Sequence, residues 1–192
     1  MEQRQIGHYL FAGNGRVAQQ LHSHSWNQTA LGAIEAWSPS LKTALSILLN
    51  AQCPMFCLWG QERVLFYNDA WADEFSPGEA SIPVGQPLRQ VRQAVDQGSG
   101  PGMISDHVLA LVEQVFATGQ PIQPDDDPLF DNGAATGHRY TWSYSPIWTA
   151  TGQVGGVFAS GSNIHDRTQA EASLRLREEQ ARLAIQVGRL GT

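Results

Sequence analysis

Long apolar runs are missing from this chain of 192 residues. None reaches the ~20 residues that a membrane-crossing helix needs, so insertion into a bilayer is not expected. The opening stretch Met1–Phe11 has no apolar core of the kind a secretory leader carries, which makes the cytoplasm the expected location. Charge is sparse too, at 16% of residues, with a formal net charge of −6. No run of Lys or Arg forms a stripe, so neither nucleic acid nor an anionic membrane surface is an expected partner. Cysteine occurs twice, at Cys53 and Cys57. In an extended strand two such positions stand roughly 13 Å apart, beyond the reach of a disulfide. Two further ligands at metal spacing are missing, so the pair reads as buried, free thiols.

What is present is an apolar fraction of 42%, enough for one domain with a core and flanking helices. A short helical stretch covers Arg16 to His22, and Trp26 and Leu31 in the following loop read as anchors onto something larger. Ser38 as cap and Pro39 at the first helical position start a second helix, whose Leu41, Leu45, Leu48 and Leu49 fall at helical spacing and which Pro54 ends. The period then changes. Met55 to Trp59 and Val64 to Tyr67 are short apolar runs about a Gly60-Gln61-Glu62 turn and predict a β-hairpin. Asn68 or Asp69 caps a short helix after it.

A Gly- and Pro-rich stretch, Ser76 to Gly102, holds one short helix over Leu88 to Val95. Ile104 to Thr118 predicts a long helix with Leu109, Val112, Val115 and Phe116 on one face and Gly119 as its stop. Three strand-like segments follow, Ile122 to Phe130, His138 to Ile147 and Val154 to Ser160. Beyond Asp166 the chain reads as a charged helix. Leu176, Leu183 and Leu190 recur every seven residues, a seam suited to a two-helix coil and hence to a homodimer. The order predicts an α+β domain: a five-stranded antiparallel sheet with helices on one face, a helical lead-in and a C-terminal signalling helix.

Several motifs in that order resemble the PAS family. Val64-Leu65-Phe66-Tyr67-Asn68-Asp69-Ala70 resembles the second PAS strand and the start of the helix after it. Val84 to Val91 is similar to the segment following that helix, Phe116 to Pro121 to the end of the long helix, and Gly152 to Val157 to the last hairpin. Asn163 to Glu171 is similar to the exit into a signalling helix. Trp26, Thr29, Leu31, Gly32, Trp37 and Ser40 to Ala44, with Pro54 to Gly60 and Trp142 to Ile147, resemble the N-terminal PAS-type sensor domain of bacterial sensor histidine kinases. The resemblance covers about residues 13 to 175. It implies three parts: a helical extension over 1–50, a PAS domain over 51–165, and a linker helix over 166–192 leading into a further, truncated domain, since Glu178 to Ile185 and Gly188 to Thr192 look like the opening of another repeat.

The function so implied is signal transduction in a two-component system. A ligand- or partner-induced change passes through the C-terminal helix to downstream PAS or kinase domains of the same chain. The chain itself is not expected to be an enzyme: it has no phospho-acceptor helix and no Gly-rich ATP lid, and no polar set forms a catalytic constellation. The pocket expected from the resemblance is lined by Met55, Cys57, Phe66, His107, Leu111, Phe116, Trp142, Tyr144 and Phe158. Asn163, Asp166 and Arg167 are the expected signal-transfer hinge, with Asp166 able both to cap the exit helix and to bond back to the sheet.

Two alternatives stand beside this reading. One is a ligand-free dimerisation or docking module. The other is a haem-binding gas or redox sensor, because haem-binding PAS domains take an iron ligand from the long helix, where His107 lies. Flavin-adduct chemistry is not expected, since Gln86 to Gln93 contains no Cys. His22 and His24, and Asp125-Asp126-Asp127 between two prolines, read as solvated groups rather than metal ligands.

Overall fold

The computed structural model describes residues 10–11, 15–75, 83–96, 105–124 and 140–163. In chain order these form α1 (Arg16–Ser23), two single 3₁₀ turns (Trp26–Gln28 and Ile34–Ala36), α2 (Pro39–Asn50), β1 (Met55–Trp59), β2 (Val64–Tyr67), α3 (Asp69–Phe75), β3 (Gln86–Pro87), α4 (Leu88–Asp96), α5 (Asp106–Thr118), β4 (Tyr140–Trp148) and β5 (Val154–Asn163). The strands make one five-stranded sheet in the order β3-β2-β1-β5-β4, with antiparallel neighbours throughout.

The helix ends follow from local chemistry. The Ser38 hydroxyl accepts the Leu41 backbone N–H at 3.2 Å with Pro39 beside it, which satisfies one of the orphan donors of the first turn of α2. Leu41, Ala44, Leu45 and Leu48 then fall on one buried stripe. Ser105 caps α5 in the same way, accepting from the N–H groups of His107 and Val108. At the other end Gly119 takes a left-handed conformation (φ 66°), and its N–H donates to the Val115 carbonyl at 2.8 Å. The buried line of α5 is Val108, Val112 and Val115; Leu109 and Phe116, expected on that line, flank it half-buried.

The sheet reaches five strands by a different route from the expected one. The first two strands and the last two stand where the pattern places them. The fifth is the two-residue β3, which pairs Gln86 with Leu65 and Pro87 with Val64 on the outer side of β2. Such a strand is too short to show a period of two. Of the expected strand over Ile122 to Phe130, the described residues show one bridge, Ile122 to Tyr144, on the free side of β4; 125–130 lie outside the described residues.

Pairing register assigns the faces, because directly paired residues of an antiparallel sheet project to the same side. One face carries Phe56, Leu58, Leu65, Tyr67, Trp142, Tyr144, Val157 and Ala159. Helix α3 packs on it: Trp71 lies against Phe56 and Tyr67, and Phe75 against Tyr140 and Trp142. The opposite face carries Met55, Cys57, Trp59, Val64, Phe66 and Phe158. Here the lead-in closes over the sheet: the Trp26 ring stacks on Phe66 at 6.0 Å, and Trp37 meets both Phe66 and Trp26 edge-on. Indole N–H groups in this layer are satisfied locally. Trp26 donates to the Leu21 carbonyl and Trp37 to that of Gly32. The lead-in therefore has no core of its own; one buried cluster runs from Leu10 to Ala159. Among the described residues no helix is long and apolar enough to cross a membrane.

Candidate functional site

Asn68, at the junction of β2 and α3, is the one buried polar side chain among the described residues. Its Oδ1 accepts the backbone N–H groups of Met55 and Trp71, both at 3.0 Å. Its Nδ2 donates to the carbonyls of Ala51 at 3.1 Å and Cys53 at 2.8 Å. One amide thus caps α3, fixes the start of β1 and ties down the α2–β1 connection, with no hydrogen-bonding position left over on either amide atom.

The next residue, Asp69, works outward. Its carboxylate accepts the Val17 N–H at 3.2 Å at the N-terminus of α1, which has no capping side chain of its own. Arg16 lies 3.8 Å from Asp69 and also pairs with Asp73. The lead-in is therefore held to α3, the helix that supports the aromatic wall.

That wall is built from Phe56, Tyr67, Trp71, Phe75, Tyr140, Trp142 and Tyr144. Its ring centroids stand from 4.7 Å (Tyr67–Trp71) to 6.4 Å (Phe56–Trp71, Tyr140–Trp142) apart, within the usual range of packed aromatic pairs. Burial, with Asp69 as the second cause, pushes the Tyr67 phenol up to about 12; burial and then Glu74 push Tyr140 to about 12. Both stay protonated through the physiological range.

The nine expected pocket residues do not share one surface. Met55, Cys57, Phe66 and Phe158 lie on the face covered by the lead-in, whereas Trp142 and Tyr144 lie on the α3 face. Leu111 and Phe116 are half-buried on α5. His107 is exposed in the first turn of α5, which is not where an apolar haem pocket would take an iron ligand. Asn163 ends β5, paired with Tyr140; Asp166 and Arg167 lie outside the described residues, as does the heptad segment. Among the described residues no group of three His, Cys, Asp or Glu side chains is placed to hold a metal ion.

The cysteines separate. Cys57 is fully buried, and burial pushes its thiol far up; Cys53, expected to be buried, is exposed in the turn before β1. A thiolate is the reactive form, so the buried Cys57 thiol is held unreactive in the native chain. Iodoacetamide at neutral pH is expected to label Cys53 in the native chain and Cys57 only once the chain is unfolded. Equal native labelling, read by peptide mass spectrometry, would contradict this placement.

In the β1–β2 turn, Arg63 has the only left-handed backbone among described non-glycine residues (φ 51°). Its guanidinium forms a two-pronged pair with Glu113 on α5, both contacts at 2.7 Å, and sits 3.7 Å from the centre of the Phe116 ring. The hydrogen bond from Arg63 holds the Glu113 carboxyl below its usual range. This pair's contribution is therefore fully present above the ordinary Glu range and is lost as pH falls below it through the lowered folded-state value. The Asn68 cap of α3 stands as expected from the sequence, whereas its bonds to Ala51, Cys53 and Met55 and the Arg63 pair were not legible there. The left-handed hairpin position was locatable from the length of the turn, but it ordinarily holds Gly or Asn.

No family model matches the chain, and no curated protein matches it. Among solved structures, the PAS domain of Bordetella pertussis BvgS aligns with 73% of this chain and 97% of its own, at 18% identity and a TM-score of 0.50. A phage VqmA–DPO complex aligns with 71% of this chain at 14% identity and a TM-score of 0.46, and this chain spans 58% of the VqmA chain. A sensory box sensor histidine kinase from Vibrio cholerae aligns with 60% of this chain and 80% of its own, at 9% identity and a TM-score of 0.40. The BvgS domain is the likeness that speaks to fold. With the sheet order and the helices set between β2 and β4, it assigns the described residues to the PAS fold.

Proposed function

We propose that this chain is the sensory module of a multi-domain bacterial histidine kinase, cytoplasmic, homodimeric and without catalytic activity of its own. It acts as a two-state element. A ligand or partner that prefers one arrangement of sheet and helices raises the population of that arrangement, and the exit helix carries the difference to the kinase. The observation that supports this reading is the place of β5. It lies between β1 and β4 in the sheet, so a shift in either neighbour reaches it, and it ends at Asn163, where the exit segment begins. In the complete receptor, Asp166→Ala is expected to leave autophosphorylation unresponsive to the stimulus that regulates the wild type. Regulation unchanged in that variant would sink the reading.

One observation favours a second reading. The rings of the α3 face already pack on one another, with Phe56, Trp71, Trp142 and Tyr144 fully buried. A wall filled in this way suits a module that responds to a docked partner and holds no small molecule. Native mass spectrometry of the purified chain separates the two: a retained small-molecule mass supports ligand sensing, and a bare dimer mass supports the interaction module.

A further inference from the structure

Three of the five Lys and Arg side chains among the described residues, Arg63, Arg89 and Arg92, line one cleft; the other two are Arg16 and Lys42. The cleft has a volume of about 310 Å³ and lies where the β1–β2 turn meets α4 and α5. Its apolar floor is Leu88 and Leu109, and its acidic lining is Glu62 and Glu113. Glu62 and Glu113 stand in the lining with the three arginines and Asp106 beside it pairs with Arg92, so each cation has one carboxylate partner, in a chain whose formal net charge is −6.

The three arginines are not equivalent. Arg63 is fixed: its side chain is 21% exposed, held by Glu113, by the Phe116 ring and by the Gly60 carbonyl, to which it donates. Its left-handed backbone occupies a hairpin position where Gly or Asn would sit without strain, so the local cost is offset by what the side chain does. Arg89 and Arg92 stand one turn apart on α4 and are the movable pair. Arg89 is 65% exposed and paired with Glu62; Arg92 is 42% exposed and paired with Asp106, itself 87% exposed. Exposed ion pairs contribute little, so both partners can be exchanged at small cost. A guanidinium fork matches a carboxylate or a phosphate, and an apolar floor wants an apolar body.

We propose that this cleft binds a small organic anion, a carboxylate or phosphate monoester on a ring or short apolar chain, with Arg89 and Arg92 taking the anionic group and Arg63 as the fixed wall. The site is separate from the aromatic wall on the α3 face, so its failure leaves the reading above untouched. Binding would join the β1–β2 turn, α4 and α5 through one ligand.

The test is thermal unfolding of the 192-residue chain with benzoate or phenyl phosphate, at ionic strength matched with sodium chloride. A saturable rise in Tm with one probe or both is expected, with loss of saturation in Arg89→Ala/Arg92→Ala. The response to benzoate alone assigns a carboxylate, to phenyl phosphate alone a phosphate, and to both the shared anionic group. Arg63→Gly is the second arm. It relieves the left-handed backbone, so the variant is expected to fold while its apparent Kd for the responding probe weakens at least tenfold. No saturable response to either probe, or a response that survives both sets of substitutions, overturns the proposal.

Discussion

Asn68→Ala is expected to lower stability by about 3 kcal/mol, the largest single loss from any polar substitution in the described residues. Each of the four hydrogen bonds of the Asn68 amide contributes about 0.5–1 kcal/mol net, and removing the amide strands two backbone N–H groups and two carbonyls. For a chain of this length that is a fall in Tm of roughly 6–12 °C. The measurement is a denaturant titration in which the midpoint drops and the slope is unchanged. Asn68→Asp separates the two halves of the network. It keeps an acceptor for the Met55 and Trp71 N–H groups but sets a carboxylate against the Ala51 and Cys53 carbonyls. Denaturant titration of both variants at one pH then reports the carbonyl half of the network from the difference between them. A loss below about 1 kcal/mol for Asn68→Ala, the value of a single net hydrogen bond, would mean that water replaces the network.

Most of the fold was legible because it rests on local chemistry. The Ser38–Pro39 start of α2, the hairpin about Gly60 and the Gly119 stop of α5 each depend on a few adjacent residues, and each stands where the pattern puts it. Features set by distant pairing were not legible. Strand β3 exists because Gly85 donates to the Leu65 carbonyl and Gln86 pairs with Leu65, neither of which leaves a mark in two residues of sequence. The coverage of both sheet faces was half legible. Trp26 reads as an anchor from its place in a polar loop, but what it anchors to, Phe66, is fixed only by the register of β1 against β2.

The expected pocket divided for the same reason. A fully buried strand such as Val64–Tyr67 carries apolar residues on both sides, so alternation cannot say which of Phe66 and Tyr67 faces α3. Neighbouring β1 has the same ambiguity at Phe56 and Cys57. One residue of register decides the face of every side chain. The pairs Phe56↔Tyr67 and Cys57↔Phe66 put the aromatic wall on one side and the cysteine with the lead-in on the other.

The contact between lead-in and sheet edge yields the second large effect. Gly85→Ala is expected to cost about 3 kcal/mol, from two independent sources. Gly85 has φ 78°, a region that costs a residue with a Cβ about 1–2 kcal/mol. The added Cβ would also clash with the Trp26 ring, and overpacking of a filled interior costs about 1–3 kcal/mol. Trp26 has little room to retreat, since it is packed against Trp37 and Phe66 and tied to the Leu21 carbonyl. A double-mutant cycle with Trp26→Phe tells the sources apart. The smaller ring makes room for the methyl group, so the double variant is expected to be about 1–2 kcal/mol more stable than the sum of the single losses predicts. The strain of the left-handed backbone remains in both backgrounds. Strict additivity would show that the cost is backbone strain alone and that Trp26 does not press on the segment leading into β3.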